Sequence, residues 1–335
     1  MNPCILMRPR MAGDDELEVA QRHFSVFTQR AAVPTNSLVV GRFANLPYHL
    51  ELENDIQLLG SRLVNTTGQH GYVADFDYYW DLEGRTFASW TDAMNIPRRL
   101  ADKPFVVKGT TNSDKRAWSR RMFAPNLEAA HRIAADLRTD AFIGPQGVVY
   151  REYVPLEVLG MPVADGPPMA NEWRTFYYKG QRLAHGFYWS NIDDWGPVDA
   201  ARADFEAHGQ AFADQVAADI ANAVPFVCID VAKTQDGRWL VVELNDGCMA
   251  GLNESVPAED LYKNLRACLD AELSSTPAPS PALTVLEDKC WYWVDYRSFG
   301  EVLTAPAQYR ADVDCFYSSA FSGIPAREVE VLRAA

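Results

Sequence analysis

Two mostly apolar runs near the middle of the chain, residues 226–231 and 239–245, carry their polar residues at every second position, and Asp236–Gly237 lies between them. This spacing is typical of strands that bury one face. An Asp-Gly pair between two such runs favours a two-residue hairpin turn. We therefore predict a β-hairpin in which Asp236 and Gly237 are the two central turn residues.

The turn also fixes which residues face each other. Counting back from a two-residue turn places Asp230 opposite Glu243, and Cys228 opposite Asn245. Because side chains alternate between the faces of a strand pair, Asp230, Glu243 and Asn245 share one face. The opposite face is apolar, and its need for burial makes this register specific. That face consists of Val227, Ile229, Val231, Leu240, Val242 and Leu244.

The same patterns divide much of the remaining chain into short strands and amphipathic helices. A second hairpin turns at Lys179–Gly180, and counting from that turn places Arg174 opposite His185. Asn126 is a suitable N-cap for the helix that follows it. The predicted strands are residues 104–109, 148–154, 172–178 and 181–189, and the predicted helices are residues 127–137, 199–223 and 261–273.

Composition narrows the class of protein. The 335 residues are 48% hydrophobic, which indicates a globular chain with a core. A formal net charge of −14 argues against a nucleic-acid partner, because such binding depends on clustered Lys and Arg. No apolar stretch approaches the ~20 residues that span a membrane, so we expect no membrane association. The six cysteines include no C-x-x-C pair, which favours reduced thiols in a cytoplasmic protein.

The two acids of the hairpin create an electrostatic problem. Ionised carboxylates directly opposite each other repel, so the pairing of Asp230 with Glu243 requires a protonated acid, a base between them, or a shared divalent cation. Two carboxylates and the Asn245 amide form an all-oxygen ligand set that suits Mg²⁺. The alternative is an ordinary surface hairpin with a solvated polar face.

Further charged residues occur in patterns that suit a nucleotide. Lys108 ends an apolar strand before a polar loop, where a phosphate would supply its partner. Glu152 or Glu157 could accept a hydrogen from an amino group or a ribose hydroxyl. Glu172 and Arg174 alternate on one strand and share a face, and the arginine fork suits a phosphate or acyl phosphate. For each of these residues, a solvated surface position is the alternative.

The order of these residues resembles the ATP-grasp superfamily of ATP-dependent carboxylate-amine ligases. The resemblance spans roughly residues 95–255 and includes Val106-Val-Lys108, Glu152-Tyr-Val154 and Glu172-x-Arg174. Its most specific part is Asp230, followed thirteen positions later by Glu243-Leu-Asn245. Within the superfamily, the chain is similar to small divergent subgroups of bacterial and phage type.

The resemblance implies a fold of the α+β and α/β classes. An N-terminal α/β unit, residues 1–93, would precede two α+β lobes, residues 94–155 and 156–273, which enclose ATP in a cleft. A proline-rich linker, residues 274–284, and a C-terminal extension, residues 285–335, would complete the chain.

The resemblance also implies ATP and Mg²⁺ as cofactors. Lys108 would contact the α- and β-phosphates, and Arg174 would steady the γ-phosphate or the acyl phosphate, so both would act in catalysis. Glu152 would hold adenine together with the backbone at Tyr153 and Val154.

The other implied roles concern the ribose and the metal. Glu172 would meet the ribose. Asp230, Glu243 and Asn245 would bind Mg²⁺.

Three departures separate this chain from the family pattern. The family lysine that precedes the Lys108 strand has no counterpart in residues 65–70, so Lys103 or Lys115 would have to replace it. Cys228 stands where many ligases have an arginine. Residues 246–251 replace the usual Pro-Gly turn, so the acceptor side of the site differs from that of the best-known members.

The implied reaction joins the carboxylate of an amino acid or peptide to an amine through an acyl phosphate and releases ADP and phosphate. Two alternatives remain open: a phosphotransferase on the same fold, and a non-catalytic nucleotide-binding protein. The expected partner is a small-molecule or peptide substrate, and self-association as a homodimer is left open.

Overall fold

The structure is a computed structural model. It describes residues 1–8, 16–44, 47–161, 164–189, 195–275, 291–298, 301–310, 315–317, 324–325 and 329–334. The chain divides into two compact units, Met1–Ala271 and Glu272–Ala335.

The first unit begins with a small α/β arrangement. Its elements are β1 (Asn2–Met7), α1 (Glu16–His23), β2 (Ser25–Phe27), β3 (Ser37–Arg42), α2 (His49–Leu58), β4 (Arg62–Leu63), α3 (Thr67–Ala74) and α4 (Tyr78–Asp81). The strands form a parallel sheet in the order β2-β1-β3-β4. All of β3 is buried, as expected for a parallel strand that is covered on both faces. Thr66 and Gln69 form a capping box that starts α3.

The next lobe is an antiparallel sheet with a helix packed on one face. Its elements are β5 (Ser89–Trp90), β6 (Phe105–Gly109), α5 (Trp118–Arg121), β7 (Phe123–Ala124), α6 (Leu127–Thr139) and β8 (Val148–Glu152), and the strand order is β5-β8-β6-β7. The predicted cap of α6 is confirmed, because the Asn126 side chain accepts a hydrogen bond of 2.9 Å from the Ala129 N–H. Ile133 and Leu137 of α6 pack with Phe105 in the core of this lobe.

The following lobe carries a second antiparallel sheet. Its elements are β9 (Val158–Gly160), β10 (Met169–Ala170), β11 (Glu172–Tyr178), β12 (Gln181–Phe187), α7 (Gly196–Asp204), α8 (Gln210–Asp219), β13 (Phe226–Lys233), β14 (Trp239–Asp246) and α9 (Ala258–Ser275). The main sheet has the order β12-β11-β13-β14. A π-helical turn, Phe205–Gly209, separates α7 from α8. Gly209 fits there because any Cβ would lie 2.8 Å from the Trp239 ring.

The first hairpin has the predicted register at its acids but reaches it by a different path. Asp230 lies opposite Glu243, and Cys228 lies opposite Asn245, as predicted. The two-residue turn is wrong: the connection is a three-residue loop closed by a hydrogen bond of 2.8 Å from the Thr234 N–H to the Arg238 carbonyl. This longer loop shifts the pairing by one residue near the turn.

A β-bulge at Val242 corrects that shift. Val231 pairs with Val241 while Asp230 pairs with Glu243, so Val242 is the extra residue in β14. Val241 therefore joins the buried core, and Val242 turns toward the opposite side and lines a pocket. The prediction that Val242 belongs to the apolar face was wrong, because alternation does not continue through a bulge.

The second hairpin contains a bulge that no other irregularity offsets. Pairing shifts between Phe176 and Tyr177, so Arg174 lies opposite Gly186 and His185 lies opposite Thr175. The prediction that Arg174 faces His185 was therefore wrong. His185 instead lies on the helix-covered face, where its ring centroid is 5.4 Å from that of Phe205. Burial there lowers the pKa of His185.

The second unit is a five-stranded antiparallel sheet of order β18-β17-β16-β15-β19. Its strands are β15 (Trp291–Ser298), β16 (Glu301–Arg310), β17 (Cys315–Tyr317), β18 (Ile324–Pro325) and β19 (Val329–Ala334). The first two residues of the predicted linker end α9, and residues 276–284 lie outside the described residues.

Two findings bear on the compositional expectations. Within the described part of the chain, no helix combines the length and apolar character needed to cross a bilayer. The cysteines that the structure describes are all free thiols: Cys4, Cys228, Cys248, Cys268 and Cys315.

The loop between β13 and β14 generates a stability prediction. Gly237 has φ +88°, and an added Cβ would meet nothing within 4 Å, so a substitution there strains only the backbone. Gly237→Ala should lower the free energy of unfolding by roughly 1–2 kcal/mol, measured by urea denaturation. Gly68→Ala is the control, because Gly68 lies in α3 with open space and no positive φ, and it should not lose stability. Equal stability of Gly237→Ala and the parent chain would reject the left-handed turn.

Candidate active site

A pocket between the two lobes gathers most of the predicted site residues. One end is apolar and is lined by Phe87, Val106, Met122 and Val242 among others. The predicted residues that line the pocket are Lys108, Glu152, Tyr153, Val154, Glu172 and Glu243. Arg174, Asp230 and Asn245 are not among its lining residues. They connect to it through strand pairing, because Asp230 lies opposite both Arg174 and Glu243.

Each of the two facing acids is neutralised by a different cation. Arg174 forms a bidentate pair with Asp230, with Nε–Oδ1 2.9 Å and Nη2–Oδ2 2.7 Å. Lys108 crosses from the other lobe and donates to Glu243. Burial opposes ionisation of Glu243, but Lys108 and Lys115 hold its pKa below the usual range. Both carboxylates are therefore available as charged ligands, each beside its own counter-ion.

Asn245 completes this group of side chains. Its Nδ2 donates to Asp230 Oδ2 at 3.4 Å, so the amide already contacts the buried carboxylate. The three predicted metal ligands consequently share one face of β13 and β14. Two carboxylates and an amide offer hard oxygen donors, which is the chemistry that Mg²⁺ prefers.

The bulge beside Glu243 is held by groups outside its own sheet. Thr86 Oγ1 donates to the Val241 carbonyl at 2.8 Å, and Val241 N–H donates to the Arg85 carbonyl at 2.8 Å. Arg151 Nη1, from the other lobe, donates to the Val242 carbonyl at 2.7 Å. Backbone groups that the bulge removes from the ladder thus find partners. These contacts fix the segment from which the Glu243 side chain projects.

Lys115 enters the same pocket from the loop that follows β6. Its Nζ donates to the Tyr188 hydroxyl at 2.7 Å and lies 5.1 Å from the centroid of the Trp189 ring. Burial opposes the charged form, but Glu172 and Tyr188 hold the pKa of Lys115 above its usual value. Lys115 therefore stays protonated and supplies a second positive charge beside Lys108.

Glu172 is the pocket acid without an ionic bond in the described structure. Its Oε1 is buried and has no hydrogen-bond partner there, and the same is true of Trp189 Nε1. Burial raises the pKa of Glu172 to about 7, although Lys115 acts in the opposite direction. An acceptor and a donor that are buried, unpaired and placed on one pocket wall are groups that a polar ligand would satisfy.

The segment after β8 forms another wall of the pocket. Glu152, Tyr153 and Val154 all line it. The Tyr153 N–H donates to the Pro104 carbonyl at 3.0 Å, so this amide already has a partner inside the protein. Contacts from Tyr153 to a ligand would therefore use its ring or its carbonyl group.

The loop that carries Lys115 is fastened over the pocket. Trp118 N–H donates to the Asp165 carbonyl at 2.9 Å, and Ser119 N–H donates to Asp165 Oδ1 at 3.0 Å. These bonds from Ser119 lower the pKa of Asp165, so the carboxylate stays ionised. Trp118 and the prolines that follow Asp165 both line the pocket.

The turn after Asn245 is held by the N-terminal sheet. Arg42 at the end of β3 donates to the carbonyls of Gly247 and Ala250, at 2.7 Å each, and forms an ion pair with Glu16 at 2.6 Å. Arg174 Nη1 donates to the Gly251 carbonyl at 2.9 Å. The region that departs most from the family pattern is thus well anchored.

Sequence reasoning missed Arg42, Thr86 and Arg151, and left Lys115 as one of two options. Arg151 alternates with Val149 along a strand, which would have placed its side chain on the cleft-facing side. Arg42 and Thr86 carry no comparable signal, because their partners lie more than 150 positions away in the chain.

The comparisons with known proteins agree with this architecture. The sequence profile of an ATP-grasp domain, the third family of one clade of that superfamily, matches residues 94–265, just over half of the chain. The solved structure of the D-cycloserine synthetase DcsG covers 80% of this chain and 100% of its own, at 14% identity and a TM-score of 0.51. The ATP-grasp fold predicted from the sequence is confirmed.

Two further solved structures are similar at lower scores. The D-alanine–D-alanine ligase from Bacillus anthracis, complexed with ATP, covers 82% of this chain and 99% of its own, at 10% identity and a TM-score of 0.48. The RiPP-associated ATP-grasp ligase of Chryseobacterium gregarium covers 81% and 97%, at 9% identity and a TM-score of 0.48. No curated protein matches the chain.

The anchoring of the bulge can be tested by stability. Thr86→Val removes the hydroxyl that satisfies the buried Val241 carbonyl while keeping the side-chain shape, so the free energy of unfolding should fall by about 1–3 kcal/mol. Thr139→Val is the matched control, because the Thr139 hydroxyl is exposed and water can replace its bond; the loss there should stay below about 0.5 kcal/mol. Equal losses in the two variants would show that the Thr86 bond does not support the bulge.

Proposed function

We propose a function for this chain from its family: it belongs to the ATP-grasp superfamily, whose domain occupies residues 94–265. The proposed activity is ligation of a carboxylate to an amine, driven by ATP and Mg²⁺, with release of ADP and phosphate. The single observation that carries the proposal is the pocket in which Lys108, Lys115 and Glu243 meet, next to Asp230 and an apolar end.

The pocket lining suggests how the nucleotide would lie. Adenine would occupy the apolar end, against Val106 and Val242 and beside Glu152 and Val154. The ribose would meet Glu172, whose unpaired Oε1 can accept a hydrogen bond from a hydroxyl group. This direction leaves the phosphates near the two lysines.

The lysines would supply the charge that the phosphates require. Lys108 would exchange its bond to Glu243 for the α- and β-phosphate oxygens. Lys115 would take the part of the lysine that residues 65–70 lack, because its ammonium group already lies in the pocket. Lys103 is exposed and does not line the pocket, so it is the weaker choice.

Asp230, Glu243 and Asn245 would hold Mg²⁺, and the ionised state of Glu243 fits this role. When bound, the metal neutralises phosphate oxygens as the γ-phosphoryl group is transferred. The carboxylates would then give up part of their contact with Lys108 and Arg174. Arg174, released in part from Asp230, could turn its fork to the γ-phosphate or to the acyl phosphate.

The protein's contribution to the chemistry is positioning and electrostatics. The substrate carboxylate would attack the γ-phosphorus, the bond to ADP would break, and the amine would then displace phosphate from the acyl phosphate to give an amide. No side chain needs to form a covalent bond in this sequence. The proposed substrate is an amino acid or a peptide.

The deciding experiment measures ADP release with Mg·ATP and a panel of amino acids and short peptides, with hydroxylamine present as the amine. A ligase gives carboxylate-stimulated ADP together with a hydroxamate. Glu243→Gln should reduce the rate by about a hundredfold or more with the fold retained, because a metal centre contributes several kcal/mol of charge stabilisation. Glu83→Gln, on an exposed residue, is the control and should keep the parent rate.

The other outcomes of this assay are also informative. ADP release with a phosphorylated hydroxyl product and no hydroxamate would identify a phosphotransferase. Nucleotide binding without turnover of any substrate in the panel would favour the non-catalytic alternative. An unchanged rate in Glu243→Gln would reject the metal assignment.

The role of Lys115 generates a separate prediction. Lys115→Met should raise the KM for ATP roughly tenfold to a hundredfold, because a hydrogen bond to a charged group contributes about 1.5–3 kcal/mol. Lys103→Met tests the alternative lysine and should leave KM unchanged. Steady-state kinetics at saturating Mg²⁺ distinguishes the two. A larger effect from Lys103→Met would reverse the assignment.

A further inference from the structure

A buried polar cluster lies outside the pocket, where the N-terminal helices meet the end of β14. His49 begins α2, His70 lies in α3, and Asp246 ends β14, and all three side chains are buried. The imidazole rings of His49 and His70 are stacked in parallel, with centroids 4.5 Å apart and planes within 4°. Three chain segments far apart in sequence thus bring two imidazoles and a carboxylate together.

Hydrogen bonds orient the cluster but do not satisfy it. His70 Nδ1 lies 3.0 Å from Asp246 Oδ2, and His49 Nδ1 lies 3.1 Å from Thr67 Oγ1. Asn65 Nδ2 and the Cys248 N–H donate to the other carboxylate oxygen, Asp246 Oδ1, at 2.7 and 2.8 Å. His70 Nε2 is buried and has no partner among the described residues. An unpaired buried nitrogen in a native structure calls for a ligand, a water molecule or an ion.

The spacing of the donors suits a metal ion. Each of the three residues offers one ligand atom, and these atoms all lie within 4.8 Å of one another. Zinc bonds of about 2.0–2.1 Å place neighbouring ligands roughly 3.3 Å apart, so the side chains would draw together by about an ångström. Rotation of the histidine side chains is sufficient for a change of that size.

We propose that His49, His70 and Asp246 form a second metal site, which binds one divalent transition-metal ion of the zinc class. Two imidazoles and a carboxylate favour Zn²⁺ and its first-row neighbours over Mg²⁺, which prefers oxygen donors alone. The proposal is independent of the proposed ligase activity, because none of the three residues lines the nucleotide pocket.

The site would have a structural role. Its ligands join α2 and α3 to the strand that carries Glu243 and Asn245, so a bound ion would fix the N-terminal helices to the end of β14. Binding of a metal to the folded chain only would stabilise that chain by mass action. Because the ligands are buried, the ion would enter during folding rather than exchange freely.

The test measures metal content and spectra of the full chain produced in medium supplemented with Zn²⁺ or Co²⁺. The parent chain should retain one metal ion per chain after desalting. The Co²⁺ form should show the visible absorption of a nitrogen-ligated ion of low coordination number. His70→Gln and His49→Gln should each lose that ion, and their thermal midpoints should fall by about 5 °C relative to the metal-loaded parent chain.

The controls separate this site from the nucleotide site. Asp230→Asn should keep the ion, because that residue belongs to the proposed magnesium set. His131→Gln, on an exposed histidine of α6, should also keep it. Circular dichroism establishes that each variant is folded. If His70→Gln does not fold, His49→Gln decides alone, since it changes the other imidazole.

Two outcomes would overturn the proposal. The first is a parent chain that retains no Zn²⁺ or Co²⁺ after production with either metal. The second is a folded His49→Gln or His70→Gln variant that retains as much metal as the parent. Loss of the ion in Asp230→Asn, with retention in both histidine variants, would place it at the nucleotide site instead.

Discussion

Two carboxylates that face each other inside a sheet must be neutralised, and much of this molecule is arranged around that requirement. Asp230 receives Arg174 from the neighbouring strand of its own sheet, whereas Glu243 receives Lys108 from the other lobe. The second ion pair therefore depends on how the lobes meet, as does the Arg151 bond to the bulge. Removing one member of a buried pair leaves an uncompensated charge. The acids thus require both lobes to be in place.

The register of the acids was predictable from the sequence, although the reasoning that gave it was incomplete. Counting from a two-residue turn paired Asp230 with Glu243, as observed. The real loop is one residue longer, and the bulge at Val242 offsets the difference. The second hairpin has one irregularity without an offset, so the same counting misplaced His185. Strand alternation fixes faces only between bulges, and a bulge depends on partners that a local pattern does not contain.

The strands, the Asn126 cap and the ATP-grasp fold followed from local patterns and motif order, because those signals lie within short windows of sequence. The anchoring groups did not. Thr86 and Arg42 act through carbonyl groups on distant strands, and Lys115 reaches the pocket only because its loop folds back over β6. The histidine cluster shows the same limit, since His49, His70 and Asp246 come from three separated segments.

The loop fastened to Asp165 is also the segment that brings Lys115 into the pocket. Sealing the entrance and delivering that ammonium group are therefore one movement of one segment. An open pocket lacks this charge, and a charged pocket is already shut. For the proposed nucleotide, tight phosphate contact and slow escape would then be inseparable, and the two amide bonds to Asp165 would set the rate at which spent nucleotide leaves.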